Sequence, residues 1–416
     1  MFRSGAQFMI LVLLVGLFAS RESQQGIGRA CDEAFADFLA RNSHRTEAPA
    51  PLTVVEIDDA SLAEHPWPWT PLDFALFFQS ANGFRPEVLA THELLRWDAN
   101  ADPALRGKLP QYKKILREHI LRAPRVLLGA ELGFPDDPTI IPPLEEAPII
   151  RRVQGDLSAI PEFTTVGAQA EEDFRLSSAI GFTNLPDAAQ PLDRAPLLLR
   201  YRGQVVPSFV LQAILQWEKL TPDDVSVVAG ERITLGEQVD IPIDRRGSMR
   251  VDFGVPRTRC DFEALVLATA QTEAQRTPIV PREALEGKFL LLGRTDRAAR
   301  TLRFGGGVRG SATDLFAAAI ATIQSRSFLT RVPVAFDLAL LGVVAVASCW
   351  APRWPKGRTV FVALISLVMY VMIALVVFGL RLIWLPIVLP AALALWIPLL
   401  RLLMRDAPGE ISSRPA

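Results

Sequence analysis

The chain has 416 residues, enough for one large domain together with membrane segments. Half of it is hydrophobic while 21% is charged, a combination that requires the apolar residues to be gathered into blocks. A net charge of -1 leaves no basic field with which to hold nucleic acid, and 32 prolines against three tyrosines point to a loop-rich fold and exclude a coiled coil.

In chain order, Arg3 precedes an uncharged stretch at residues 4–20 with FMILVLLVGLF at its centre, and Arg21 closes it. Leu17 and Phe18 crowd the positions around Ala19 where a small-x-small cleavage site would lie, which favours an uncleaved anchor over a signal peptide for residues 1–20. Ala30, Ala34, Phe35, Phe38 and Leu39 recur at helical spacing within residues 24–45, and Pro49 and Pro51 end that helix. LTVVEI at 52–57 is a short β-branched run typical of a buried strand. A helix at 71–81, a strand at 87–91, a helix at 108–122 and a strand at 125–130 follow. This alternation predicts an α/β fold with a mostly parallel sheet and crossover helices.

Residues 134–169 are rich in proline and acidic side chains and read as an excursion from that fold. A helix is expected at 208–217, then short strands at 233–235, 239–241 and 249–253 with a turn at Asp244-Arg245-Arg246-Gly247. KFLLLG at 288–293 returns to the buried-strand pattern, and 312–325 reads as a closing helix. The strand residues Val54, Val55, Ile57, Val88, Leu127, Leu128, Leu290, Leu291 and Leu292 are expected to be buried in one sheet.

Three apolar stretches come next, and about 20 apolar residues cross a hydrocarbon core of about 30 Å. Residues 359–380 and 382–400 carry no charge, and Pro386, Pro390 and Pro398 are tolerable in a helix supported by neighbours. Residues 332–350 form the third expected span, with Asp337 near its outer end, at the membrane edge, either a functional candidate or an acid that simply faces the lipid headgroups. Arg353, Lys356 and Arg358 fill the first connection and Arg401 and Arg405 follow the last span, while the second connection holds only Arg381. The positive-inside rule then places the first connection and the tail at 406–416 in the cytoplasm, and residues 21–331 outside, as one exported domain ahead of three transmembrane helices at 332–405. Cys31 and Cys260 would lie in an oxidising compartment where a bridge can form, while Cys349 sits in a membrane helix.

Charged residues collect at the ends of predicted parallel strands, where open α/β sheets bind ligands. Asp58 and Asp59 follow the first strand, Glu93 the second, and Arg294 and Asp296 the last. They either line one crevice, with Trp67 and Trp69 as an aromatic wall, or serve structure: Asp58 capping a turn, Asp59 pairing with Arg294, the tryptophans packing as a lid. Gly305-Gly306-Gly307 lacks the Gly-Lys-Ser/Thr ending of a phosphate loop and reads as a turn. His44, His65, His92 and His119 show no metal spacing, and neither a Gly-x-Ser-x-Gly elbow nor a Cys-His arrangement occurs, so no catalytic residue, metal or cofactor is expected.

VVEIDDASLAEHPWPWTPLDFALFFQSA resembles the opening motif of CHASE2 domains, a strand, Asp-Asp-x-Ser-Leu, Trp-Pro-Trp and a helix. GFTNLPDAAQPLDRAPLLLRYRGQVVPSFVLQAIL, IPIDRRGSMRVDFGVP and LEGKFLLLGRTD continue the likeness over about residues 30–330. The resemblance implies an extracytoplasmic sensor of the bacterial inner membrane, joined through three helices to an output such as a cyclase or kinase. Departures occur at Thr70-Pro71, Thr91-His92-Glu93, Arg294-Thr295-Asp296 and Ser311-Ala312. No output domain follows in this sequence, since eleven residues come after Arg405. The expectation is therefore a non-catalytic sensory protein with an unknown small-molecule or envelope ligand, acting through a separate signalling partner and compatible with a homodimer. A scaffolding envelope protein is the second reading, and an envelope enzyme using Asp58, Asp59 and Glu93 the third.

Overall fold

A computed structural model describes residues 2–23, 26–42, 48–98, 106–133, 147–186, 191–236, 239–304, 308–381 and 383–403. The chain forms two compact units. One is Glu47–Phe328, and the other joins Met1–Thr46 to Leu329–Ala416.

The first unit is built on a seven-stranded sheet. Its strands are β1 (Leu52–Ile57), β2 (Val88–Thr91), β3 (Val126–Gly133), β4 (Thr165–Gln169), β5 (Ala179–Phe182), β6 (Thr258–Asp261) and β7 (Phe289–Arg294). Their lateral order is β6-β1-β7-β2-β3-β4, with β5 also on β3. All pairings are parallel except β3 with β4. β4 lies inside the stretch expected to leave the fold. Residues 165–169 instead extend the sheet as an antiparallel edge, because the free end of β3 offers unpaired backbone groups that a returning chain satisfies. The earlier part of that stretch, residues 134–146, lies outside the described residues.

Helices cover both faces. Val55, Ile57, Leu89, Leu128, Leu290 and Leu292 pack with helices Pro71–Asn82, Leu109–Arg122 and Phe262–Glu273. Their strand neighbours Val54, Val88, Leu127, Phe289 and Leu291 point the other way, into a core shared with helices Phe209–Glu218 and Ala312–Gln324. Double coverage is why these strands are continuous apolar runs without alternating polar positions. All nine strand residues expected in the core are buried in this one sheet. Thr70 and Asp73 form a capping box that starts the 71–82 helix, with Pro71 in its first turn, and Ser311 and Asp314 start the 312–324 helix in the same way. A four-stranded sheet (order 239–242, 232–235, 225–228, 152–154) and three smaller ones accompany the main sheet in this unit, and the strand expected at 249–253 is the shorter Ser248–Arg250.

Cys31 and Cys260 are both free thiols. Burial pushes the Cys260 thiol up to about 12, with Asp261 and Glu56 adding to the effect. The thiolate is the reactive form, so Cys260 should resist iodoacetamide in the native protein and react only on unfolding, as mass spectrometry of timed quenches would show. Modification of the folded protein at the rate of a free thiol would contradict this packing.

In the second unit, among the described residues, three helices are long and apolar enough to cross a membrane: Gly5–Glu22, Val334–Arg353 and Lys356–Leu380. The last expected span, 382–400, is corrected. Ile383–Trp384 instead forms a short parallel pairing with Thr330–Arg331, and the helix runs Val388–Leu403, 16 residues. Pro386 disfavours a helical residue before it, so the helix starts later. Phe8, Val12, Leu341, Ala345, Leu389 and Leu393 form the centre of this unit.

Candidate functional site

Strand register assembles the site. β1 and β7 pair with Ile57 opposite Arg294, and β7 and β2 pair with Leu292 opposite Thr91. One residue further on, Gly293 lies beside His92 and Arg294 beside Glu93. The carboxyl edge of the sheet thus gathers Asp58, Arg294, Asp296, His92 and Glu93, the edge at which parallel α/β sheets bind ligands.

Each group has a definite setting there. Asp58 caps the Asp59–Glu64 helix, its Oδ1 accepting from the Ser61 amide at 2.8 Å and the Ser61 hydroxyl at 2.9 Å. Asp59 is exposed and faces Arg297, 3.5 Å from its Nε, so the pairing with Arg294 considered from the sequence does not form. Arg294 instead grips Asp296 with two hydrogen bonds, 2.8 Å from Nε and 3.0 Å from Nη2. Two parallel donors on one carboxylate make the strong form of this pair. A guanidinium two residues away on the same turn is closer to hand than one on another strand. Burial opposes ionisation of Asp296, but the hydrogen bonds and charge of Arg294, with the amides of Ala298 and Ala299, outweigh it and hold the carboxyl below its ordinary value. The guanidinium also lies over the Trp67 ring, 4.7 Å from its centroid. Trp69 is buried among Phe74 and Phe262, with its indole N–H donating to the His65 carbonyl at 3.0 Å, so it is core and not wall.

Beside Trp67 opens a cleft lined by His92, Glu93, Glu131, Thr183, Asn184 and Phe316, with Leu94, Leu185 and Ala312 at its margins. Glu93 accepts from the Arg294 amide through Oε1 at 3.2 Å. Asn184 exchanges two hydrogen bonds with the backbone of Leu132, at 2.8 and 2.9 Å, so it shapes the rim. Glu131 is exposed and, among the described residues, forms no ion pair. His92 Nε2 is 2.8 Å from the Thr313 hydroxyl, which donates its proton to the Arg294 carbonyl at 2.8 Å. The histidine must therefore donate through Nε2. Burial drives its pKa down against the pull of Glu93 and Glu131, so the ring is neutral at physiological pH.

Of the residues singled out from sequence, Trp67 and Glu93 line this cleft, Arg294 and Asp296 support it, and Asp58, Asp59 and Trp69 serve other contacts. His92, Glu131 and Phe316 were not singled out as site residues. The one usable signal was the place of His92 immediately before Glu93 at a strand end. Glu131 falls within a strand and Phe316 within a helix, and only the packing shows that they face one space. The three glycines at 305–307 lie outside the described residues. Among the described residues no group of three or more His, Cys, Asp or Glu side chains is placed to hold a metal ion.

The model of the CHASE2 domain matches residues 9–350. The chain belongs to the CHASE2 family. CHASE2 is a sensory, extracytoplasmic domain, and its match here takes in most of the first two apolar helices as well as the α/β unit that lies between them in the sequence. Neither the curated proteins nor the solved structures yielded a significant match.

Proposed function

We propose that this CHASE2 protein is a non-catalytic, membrane-anchored sensor whose ligand enters the cleft between Trp67, Glu93, Glu131 and Phe316. The supporting observation is the double position of the Ala312–Gln324 helix. Ala312 and Phe316 line the cleft, and the chain runs from the end of that helix to the Val334–Ser348 helix with only nine residues between. A ligand that favours one setting of the 312–324 helix therefore acts on the last element before the membrane segments. Free carboxylate oxygens and two aromatic faces suit a small ligand with an ammonium or guanidinium group and an apolar body. His92 is held neutral with its Nε2 donating to the Thr313 hydroxyl, whose own proton goes to the Arg294 carbonyl, so the ring has no base nitrogen turned to that hydroxyl, which favours binding over turnover. The signal passes to a separate membrane or cytoplasmic partner through the apolar helices.

Thermal-shift measurements on the full-length protein in nanodiscs against a panel of small amines and guanidines test the ligand. A raised melting temperature for at least one compound, lost in Glu93→Gln and Glu131→Gln, is the expected result. A flat response across the panel would overturn the cleft assignment. For topology, reporter fusions near Asp156 should report the extracytoplasmic side and fusions after Arg405 the cytoplasm, as the positive-inside count requires. A cytoplasmic report at Asp156 would reverse the orientation on which the proposal stands.

A further inference from the structure

The helical unit contains a charged cluster that neither the fold nor the cleft accounts for. Asp32 on the Gly26–Asn42 helix is fully buried. Its Oδ1 accepts from the amides of Ile387 and Val388 at 2.7 and 2.9 Å, capping the Val388–Leu403 helix from a distant part of the chain. Its Oδ2 accepts from the Ser23 hydroxyl and faces Arg331 Nη2 at 3.6 Å. Arg331 belongs to the strand pairing that ties 330–331 to 383–384, and its guanidinium lies 5.6 Å from the centre of the Trp384 ring. The same Nη2 reaches Asp337 Oδ2 at 3.4 Å, a long contact.

Two buried carboxylates thus share one guanidinium. Asp32 has a full set of donors. Asp337 does not. It is 1% exposed, and among the described residues its one hydrogen-bond contact is the long one at Oδ2 while its buried Oδ1 has none. Among the described residues Arg331 Nε is likewise buried without a partner, so the guanidinium reaches both carboxylates through Nη2 alone and at long range. Tyr370 also stands near the cluster, but its hydroxyl donates to the Pro386 carbonyl at 2.7 Å and leaves Asp337 unsatisfied. A buried charge without a partner costs several kcal/mol, so the unpartnered Oδ1 favours association with a positive charge.

We propose that the Asp32–Arg331–Asp337 cluster is a binding site for one small monocation, a proton or Na⁺, taken up on the free oxygen of Asp337. Occupancy neutralises the excess carboxylate and locks together the 26–42, 334–348 and 388–403 helices and the 330–331 connection, all of which meet at these side chains. The cluster stands at the end of the helices that the charge distribution of the loops assigns to the outer surface, so it samples the external ion pool. This site is independent of the cleft.

The test uses the full-length protein in nanodiscs, with melting temperature followed against NaCl at fixed pH, with choline chloride holding ionic strength, and against pH without sodium. Because a ligand that binds only the folded state raises its stability, the melting temperature should rise by a few degrees as Na⁺ is added or as the proton concentration increases. A response to sodium identifies the metal ion. A response to pH alone, with a carboxylic-acid C=O band in the infrared difference spectrum, identifies the proton. Either response should vanish in Asp337→Asn, which removes the excess charge at the site, and in Asp32→Asn, which frees Arg331 for Asp337. A wild-type protein indifferent to both ions overturns the proposal, as does a response retained in full by both variants. If one variant fails to fold, the other decides.

Discussion

Arg294→Met is expected to destabilise the α/β unit by about 3 kcal/mol at neutral pH. Removing one partner of a buried ion pair typically costs about 3–5 kcal/mol, and the lower end applies because the Arg294 side chain keeps 21% of its exposure. What remains is Asp296, with a side chain 3% exposed, holding a charge that two hydrogen bonds no longer answer. The sign of the pH dependence follows. In the native protein the Asp296 carboxyl titrates below its ordinary value of 3.8, so its contribution is present above that value and is lost as pH falls through the depressed one. The variant has no such contribution to lose. The stability deficit should therefore be full at pH 7 and shrink as the medium is taken through the carboxylate range. Urea unfolding followed by tryptophan fluorescence at several pH values measures it, with Trp67 losing the cation above its ring. A deficit that stays constant down to pH 3 would mean that the effect comes from lost packing and not from the ion pair.

Gly293→Ala should be costly in spite of adding a single methyl group. A Cβ at this position would stand 2.5 Å from the Thr313 hydroxyl and 2.6 Å from His92 Nε2. Neither is the loose end of a flexible chain, since each is fixed by the hydrogen bonds that join β2, β7 and the 312–324 helix. Overpacking of this kind costs about 1–3 kcal/mol, and here the relaxation would push His92 and the start of the helix apart, directly under the cleft. Gly107→Ala is the control, because a Cβ there meets nothing within 4 Å. Denaturant midpoints should fall for the first and stay within error for the second. Equal midpoints for both would show that the sheet and the helix are not in close contact at Gly293.

The sheet was legible because burial on both faces leaves a simple mark, short runs of Val, Leu and Ile, and because the order of strands and helices restricts how they can pair. The long apolar helices were legible for the same reason of composition. Less readable was the end of the chain: Leu382 to Leu400 is uniformly apolar, yet Pro386 and the pairing of Ile383–Trp384 with Thr330–Arg331 delay the helix to Val388. Composition does not register a backbone pairing between segments some 50 residues apart.

The site divides along a similar line. Sequence by itself determined that charged residues stand at the ends of parallel strands, because strand ends are set locally. Which of them share a space was decided by register and by the helix that crosses the edge. Arg294 turned to Asp296 and not to Asp59, and Trp69 went into the core while Trp67 stayed at the cleft. The helix brought Phe316, and the far part of β3 brought Glu131, to positions that no spacing in the chain announces. The meeting of Asp32 with Arg331 and Asp337 was equally hidden, since Asp32 stands about three hundred positions before the other two and joins them only when the two ends of the chain pack as one unit. Local propensities and patterning act over a few residues, whereas the electrostatics of a buried charge depend on every group within several ångströms, whatever its number in the chain.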